Sequence, residues 1–211
     1  MELNWKKNTA LFIIGQTITI FGSSIVQYAI LWHITLSTQS GIMMTLISIV
    51  GFLPMFIISP FGGVWADRFN RKRLIVISDS IVALASLVVA ILMIMDITYI
   101  SILLVCAGIR ALGQGVQMPA VGAVIPQIVP TEQLTRVNGI YGSVQSLSFL
   151  LAPMLGALLM SLFPLQILFL FDVITASIGI SILILFVKVP NLETPNSSCK
   201  CNKHLVRGFV A

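Results

Sequence analysis

The chain has 211 residues, of which 57% are hydrophobic and only 9% charged, with a mean hydropathy of +1.03. A soluble domain carries roughly 25% charged residues because its surface must face water; lipid is therefore the solvent for most of this chain, and a soluble globule is excluded. The net charge of +5 reads as a membrane-topology signal, with nucleic acid the weaker explanation.

A hydrocarbon core about 30 Å thick needs about 20 helical residues, and six apolar stretches reach that length: 11–32, 42–64, 74–95, 99–123, 140–163 and 165–187. The runs are continuous and do not alternate, so they predict helices and not barrel strands. The first follows Lys6 and Lys7 and holds two amides, Gln16 and Gln27. It is too long for a cleaved signal peptide and lacks a small-residue cleavage site, so it should stay as a helix.

The second span holds Pro54 and Pro60, and proline kinks a helix by deleting a hydrogen bond. It runs into Gly62-Gly63-Val64-Trp65-Ala66-Asp67-Arg68-Phe69-Asn70-Arg71-Lys72-Arg73. This loop has the chemistry of a latch. Asp67 at a helix end can accept hydrogen bonds from a facing helix N-terminus or from arginines, and the arginines can mesh with carbonyls and carboxylates. The third span carries Asp79 about five residues from its start, roughly 7–8 Å deep and within snorkelling reach of the basic loop, which predicts a structural role.

The fourth span buries Arg110 about eleven residues in, roughly 16 Å deep. A cation there costs at least about 2.5–3.5 kcal/mol, which makes it a functional candidate. Its expected polar partners, by depth and helix, are Gln16, Gln27, Gln114 and Gln145. Gly113 and Gly115 thin one face of the same helix for close packing. The fifth span contains Pro153 and Gly156. The sixth contains Asp172, which has no nearby cation in sequence and is the better candidate for binding a proton.

Residues 1–190 thus form a six-helix unit. Residues 191–211 read as a polar linker followed by the basic lead-in to a seventh span, Lys203-His204-Leu205-Val206-Arg207-Gly208-Phe209-Val210-Ala211. Cys199, Cys201 and His204 offer three metal ligands and no fourth, so no metal site is expected. No cofactor is implied. Starting with the N-terminus inside, eleven cations fall on the inner side: Lys6, Lys7, Arg68, Arg71, Lys72, Arg73, Arg136, Lys188, Lys200, Lys203 and Arg207. The outer loops hold none, so both termini are expected to be cytoplasmic.

The chain also echoes itself. Gly15-Gln16 recurs as Gly113-Gln114, Pro54-Met55 as Pro153-Met154, and Asp79-Ser80-Ile81-Val82-Ala83 as Asp172-Val173-Ile174-Thr175-Ala176. Three spans repeated after an odd number of crossings must lie inverted in the membrane. In this register Arg110 corresponds to Phe12.

The loop from Gly62 to Arg73 resembles the signature loop of the major facilitator superfamily through Gly62, Ala66, Asp67, Arg68, Arg71 and Lys72. Val64 stands where leucine is usual and Asn70 where glycine is usual, a tolerable change because Asn accepts left-handed turns. The Arg110-to-Gly115 stretch is similar to the family's fourth-helix motif, which is associated with proton coupling in drug antiporters. Ala152-Pro153-Met154-Leu155-Gly156-Ala157 is a degraded form of the fifth-helix element of exporters, with Ala152 and Ala157 where glycines are usual.

Over residues 1–190 the resemblance is strongest to macrolide efflux (Mef-type) transporters, carried further by Gly51-Phe52-Leu53-Pro54, Pro130-Thr131-Glu132-Gln133-Leu134 and Gln145-Ser146-Leu147-Ser148. The resemblance implies an all-α plasma-membrane protein, half of a two-part transporter. It would export a bulky amphipathic drug against protons. The competing reading is a truncated, non-transporting half that only assembles with another half. A membrane enzyme fares worst, since the only histidines are His33 at a helix end and His204 in the tail. No phosphate-binding loop of an ATP-driven pump occurs.

Overall fold

A computed structural model describes residues 2–97 and 99–187; the expected linker and lead-in at 191–211 lie outside the described residues. The architecture is six helices: α1 (Glu2–Thr38), α2 (Gly41–Arg68), α3 (Arg71–Ile94), α4 (Ile100–Ile128), α5 (Leu134–Leu162) and α6 (Leu165–Phe186). A single 3₁₀ turn, Thr131–Gln133, precedes α5, and no strand occurs among the described residues. All six helices are long and apolar enough to cross a membrane. The chain is a multi-pass membrane protein.

The six expected spans sit on the six helices, but the helices run longer. Helix α1 begins nine residues ahead of its span and α5 six residues ahead. Hydropathy marks only the part in hydrocarbon, whereas a nucleated helix extends cheaply into the interface. Helix ends follow local chemistry. The Asn70 side chain accepts the Arg73 backbone N–H at 3.3 Å and caps α3, so the residue replacing a turn glycine acts as an N-cap. Gln39 and Asp96, with φ of 48° and 61°, end α1 and α3 in left-handed turns.

The helix packing carries the inverted repeat. Helix α1 packs on α6 as α4 packs on α3, α5 packs on α1 as α2 packs on α4, and α3 meets α6 at the centre. Exchanging α1 with α4, α2 with α5 and α3 with α6 leaves this set unchanged. The chain is thus two inverted three-helix repeats.

Glycines set the closest approaches. A Cβ added to Gly115 would lie 2.8 Å from the Met55 carbonyl oxygen, and one on Gly62 would lie 2.8 Å from the Gly115 carbonyl oxygen. These two glycines let α2 and α4 touch backbone to backbone. Gly156 does the same for α5, where an added Cβ would sit 3.2 Å from the Ile25 carbonyl oxygen on α1.

The core has two apolar clusters. One, around Ile30, Ile34, Val89, Met93 and Phe169, lies toward the end where α1 meets α2. The other, around Phe12, Ile75, Val124, Val137 and Leu183, lies toward the basic end. Between them runs a buried polar layer of Gln16, Ser23, Asp79, Ser86, Arg110, Gln117 and Asp172.

Candidate functional site

At the basic end, the loop between α2 and α3 is bound to the rest of the bundle by two cations. Arg71 donates from Nε to the Ala66 carbonyl and from Nη1 to the Ala123 carbonyl, both at 2.9 Å. Lys72 donates to the carbonyls of Val187 at 2.7 Å and Ile184 at 3.1 Å, closing the C-terminal end of α6. Asp67 projects outward, 76% exposed, and its ion pair is with Arg71 at 3.6 Å. Arg68 is exposed too. Arg71 and Lys72 bond these carbonyls within the six-helix unit.

In the polar layer, Arg110 is completely buried. Its Nη1 forms an ion pair with Asp172 Oδ2 and also donates to Ser86 Oγ, while Nη2 donates to the Ser23 carbonyl oxygen at 2.9 Å. Asp172 collects two hydroxyls besides, Ser86 Oγ at 2.7 Å and Ser23 Oγ at 3.0 Å. The sequence placed no cation beside Asp172 and offered four glutamines to Arg110. The bundle instead pairs the two charges, because α3, α4 and α6 meet at this depth. None of Gln16, Gln27, Gln114 and Gln145 bonds the guanidinium. An isolated buried charge costs far more than a bonded pair, so the two offset each other's desolvation.

The second acid of the layer is in the opposite state. Asp79 is 3% exposed, and its Oδ2 has no hydrogen-bond partner. The side chain of Gln117 is its hydrogen-bonding neighbour on α4, and Gln117 Nε2 donates to Gln16 Oε1 at 3.4 Å. No ion pair reaches it among the described residues: the salt bridges there are Arg110–Asp172 and Arg71–Asp67. The expected snorkelling toward the basic loop does not occur, since Arg71 and Lys72 are committed to backbone carbonyls of α2, α4 and α6.

Both acids sit one residue behind a cavity of about 630 Å³ bounded by α1, α2, α4 and α5. Ser23 and Gln117, the residues that contact Asp172 and Asp79, both line it. So do Gln27, Gln114 and Gln145, with Phe52, Tyr28, Tyr141 and Phe149 supplying aromatic wall. Gln145 donates to the Tyr141 hydroxyl at 3.1 Å. Large apolar walls with a few placed amides and hydroxyls are the make-up of a small-molecule site.

The cavity fixes the register of the repeat. Ile20, Ser23, Ser24 and Gln27 on α1 face it, and on α4 the residues 94 positions later, Gln114, Gln117, Met118 and Val121, face it too. Asp79 and Asp172 are related by 93 positions. The counterpart of Arg110 is therefore Gln16, not Phe12, which lies one turn further toward the basic end in an apolar cluster. Under the same exchange the Arg110–Ser23 contact becomes Gln16–Gln117, and both contacts are present. The identity of Gly15-Gln16 with Gly113-Gln114 pointed to a register one turn off.

Sequence reasoning missed Ser23, Ser86 and Gln117, although a signal existed. Gln16 and Ser23, Asp79 and Ser86, Arg110 and Gln117 are each seven residues apart on apolar helices, a spacing that puts both members of a pair on one face two turns apart.

The sequence profile of the Major Facilitator Superfamily matches residues 12–209. Macrolide efflux protein A of Streptococcus pyogenes is 34% identical over 189 residues, covering 90% of this chain and 46% of that protein. The protein of the same name from Enterococcus faecalis is 37% identical over 145 residues, 69% of this chain and 45% of its own length. Multidrug efflux pump Tap of Mycolicibacterium fortuitum is 25% identical over 164 residues, 75% of this chain and 40% of the pump. The chain spans about half the length of the curated relatives it matches.

Proposed function

The chain belongs to the major facilitator superfamily, and from that premise we propose that it forms the N-terminal half of a proton-coupled secondary exporter of a bulky amphipathic drug, with macrolides the first candidate class. The observation that carries this reading is the cavity: aromatic and amide-lined, with two carboxylates directly behind its wall. Such a wall takes an apolar drug body on Phe52, Tyr28 and Phe149, while Gln27, Gln114 and Gln145 meet its hydroxyls and carbonyls. The buried Arg110–Asp172 pair holds α3, α4 and α6 at a fixed spacing and presents Ser23 to the cavity.

Alternating access needs a second body to rock against. Helices α2 and α5 are the least buried in the bundle and expose Phe56, Met154, Leu158 and Leu150, the last of which also lines the cavity. In this proposal a second six-helix half covers that face, and Asp67, unclaimed by the bundle apart from Arg71, latches to it in the outward-facing state. Pro153 and Gly156 let α5 bend while remaining in contact with α1. The protein sits in the plasma membrane with both termini cytoplasmic, consistent with its cations at one end. The same exposed face favours a second reading: alone, the chain assembles with another half and transports nothing.

Accumulation of a labelled macrolide in cells separates these readings. The chain expressed with the C-terminal half of a macrolide efflux relative should lower accumulation, and a protonophore should restore it. No lowering with the pair correctly inserted overturns the export reading.

A further inference from the structure

Behind the cavity wall lie two carboxylates of unlike standing, and the difference assigns them different tasks. We propose that Asp79 binds and releases the coupling proton, exchanging it with the cavity past Gln117, while the Arg110–Asp172 pair serves as fixed scaffold. This rests on the export reading and adds the residue that carries the ion.

Asp172 has every oxygen engaged: a guanidinium and two hydroxyls hold it. Protonating it would strand the Arg110 cation without its bonded carboxylate, at a cost of several kcal/mol. Asp79 has no such commitment. Its Oδ2 is buried and unpartnered, a setting that accepts a neutral carboxylic acid and penalises a bare carboxylate. The groups acting on it from neighbouring helices are Gln117 on α4, Asp172 on α6 and the Tyr141 phenol on α5. Arg110, which could have neutralised Asp79 from α4, is tied to Asp172. On α1 the repeat places neutral Gln16 where its partner helix places Arg110.

Gln117 suits both states of the exchange. An amide nitrogen can donate to a carboxylate, and an amide oxygen can accept from a protonated acid. Gln117 also lines the cavity. A drug pressing on Gln117 therefore touches the residue that screens Asp79, which gives substrate and proton a shared contact. The step is balanced: hydronium in the cavity transfers one proton to the carboxylate and leaves water, and release reverses it.

The test uses infrared spectroscopy of the full chain in lipid nanodiscs, with isotope-labelled aspartate, titrated from about pH 5 to about pH 10, above the ordinary carboxylate range. A protonated-carboxyl C=O band should be present at the acid end and vanish at the alkaline end. Asp79→Asn should remove it; the double variant Arg110→Gln/Asp172→Asn, which deletes the scaffold pair without leaving a lone charge, should keep it. If Asp79→Asn fails to insert, Asp79→Glu should replace the labelled-aspartate band with one from glutamate. A band that survives Asp79→Asn, is absent from the wild-type chain, disappears in the folded double variant, or is not replaced in Asp79→Glu overturns the proposal. Transport distinguishes the two levels. Protonophore-sensitive efflux that persists in Asp79→Asn defeats this assignment alone, whereas absent efflux with the band behaving as stated defeats only the export reading.

Discussion

Two acids related by the internal repeat occupy equivalent places in the bundle and meet opposite fates. Asp172 meets Arg110, Ser86 and Ser23; at the corresponding positions around Asp79 the repeat supplies Gln16, Gly179 and Gln117. The backbone frame is shared, so the difference lies in three side chains. One site is saturated with donors and fixed. Its twin, about 10 Å nearer the basic end at seven helical residues of 1.5 Å, keeps an oxygen unsatisfied. A duplicated fold can thus hold a rigid ion pair and an exchangeable acid at mirrored positions without any change of architecture.

The sharpest way to break this comparison is to unpair the saturated site. Arg110→Gln leaves Asp172 buried without its cation, and Asp172→Asn does the converse. Each should destabilise the folded chain by about 3–5 kcal/mol, the usual result of removing one partner of a buried pair. The double variant should recover most of that loss, because two neutral amides of similar size replace the pair. Melting in detergent, read as a double-mutant cycle, measures the coupling. Additive losses would show that the pair is not what makes this site rigid.

A smaller effect is expected from making the unsaturated site resemble its twin. Gln16→Arg puts a guanidinium where the repeat has Arg110. It should pair with Asp79, leave stability within about 2 kcal/mol of wild type, since a buried pair often roughly breaks even, and abolish any pH-dependent carboxyl band. Retention of the band would mean that the repeat register derived from the cavity does not extend to side-chain reach.

Much of this was legible before any fold was known. The six spans, the proline and glycine interruptions, the basic end and the inverted repeat all follow from hydropathy and spacing, because lipid imposes length and periodicity directly on sequence. Arg110 stood out because a deep cation has no cheap explanation. Its partner did not: Asp172 is 62 residues away, and only the meeting of α4 with α6 brings the charges together. Asp79 was misplaced for a related reason. Distance from a span end measures depth, and depth alone overlooks neighbouring helices that wall off a side chain as thoroughly as lipid does.

Truncating the two cavity-side residues comes next in size. Ser23→Ala removes one hydroxyl from Asp172 but spares the carbonyl that binds Arg110, and should cost about 1–2 kcal/mol. Gln117→Ala removes the amide that neighbours Asp79 on α4 and should cost less, since a neutral acid loses at most one hydrogen bond and gains access to cavity water. The informative quantity is proton exchange, followed by the rate at which the carboxyl band responds to a pH jump. Gln117→Ala should speed it several-fold, with Ser23→Ala unchanged; equal rates in both variants would remove Gln117 as the screen.

The smallest effect on the isolated chain is expected at a third acid, which lies outside both sites. Asp67 is largely exposed, and its ion pair with Arg71 at 3.6 Å spans a single helical turn. Exposed pairs of this kind contribute little, because water and salt screen them and ordering the side chains costs entropy. Arg71 does not depend on Asp67 for its place, since the carbonyls of Ala66 and Ala123 already hold it. Asp67→Asn should accordingly leave melting and insertion of this chain unchanged. Its consequence belongs to the assembled transporter, where the carboxylate has a partner to gain and the amide loses most of the charge-assisted bond. Efflux by the two halves together should then fall while assembly persists, an outcome checked by co-purification alongside drug accumulation. An Asp67→Asn chain that melts several degrees lower on its own would make Asp67 a structural acid of this half, on the same footing as Asp172.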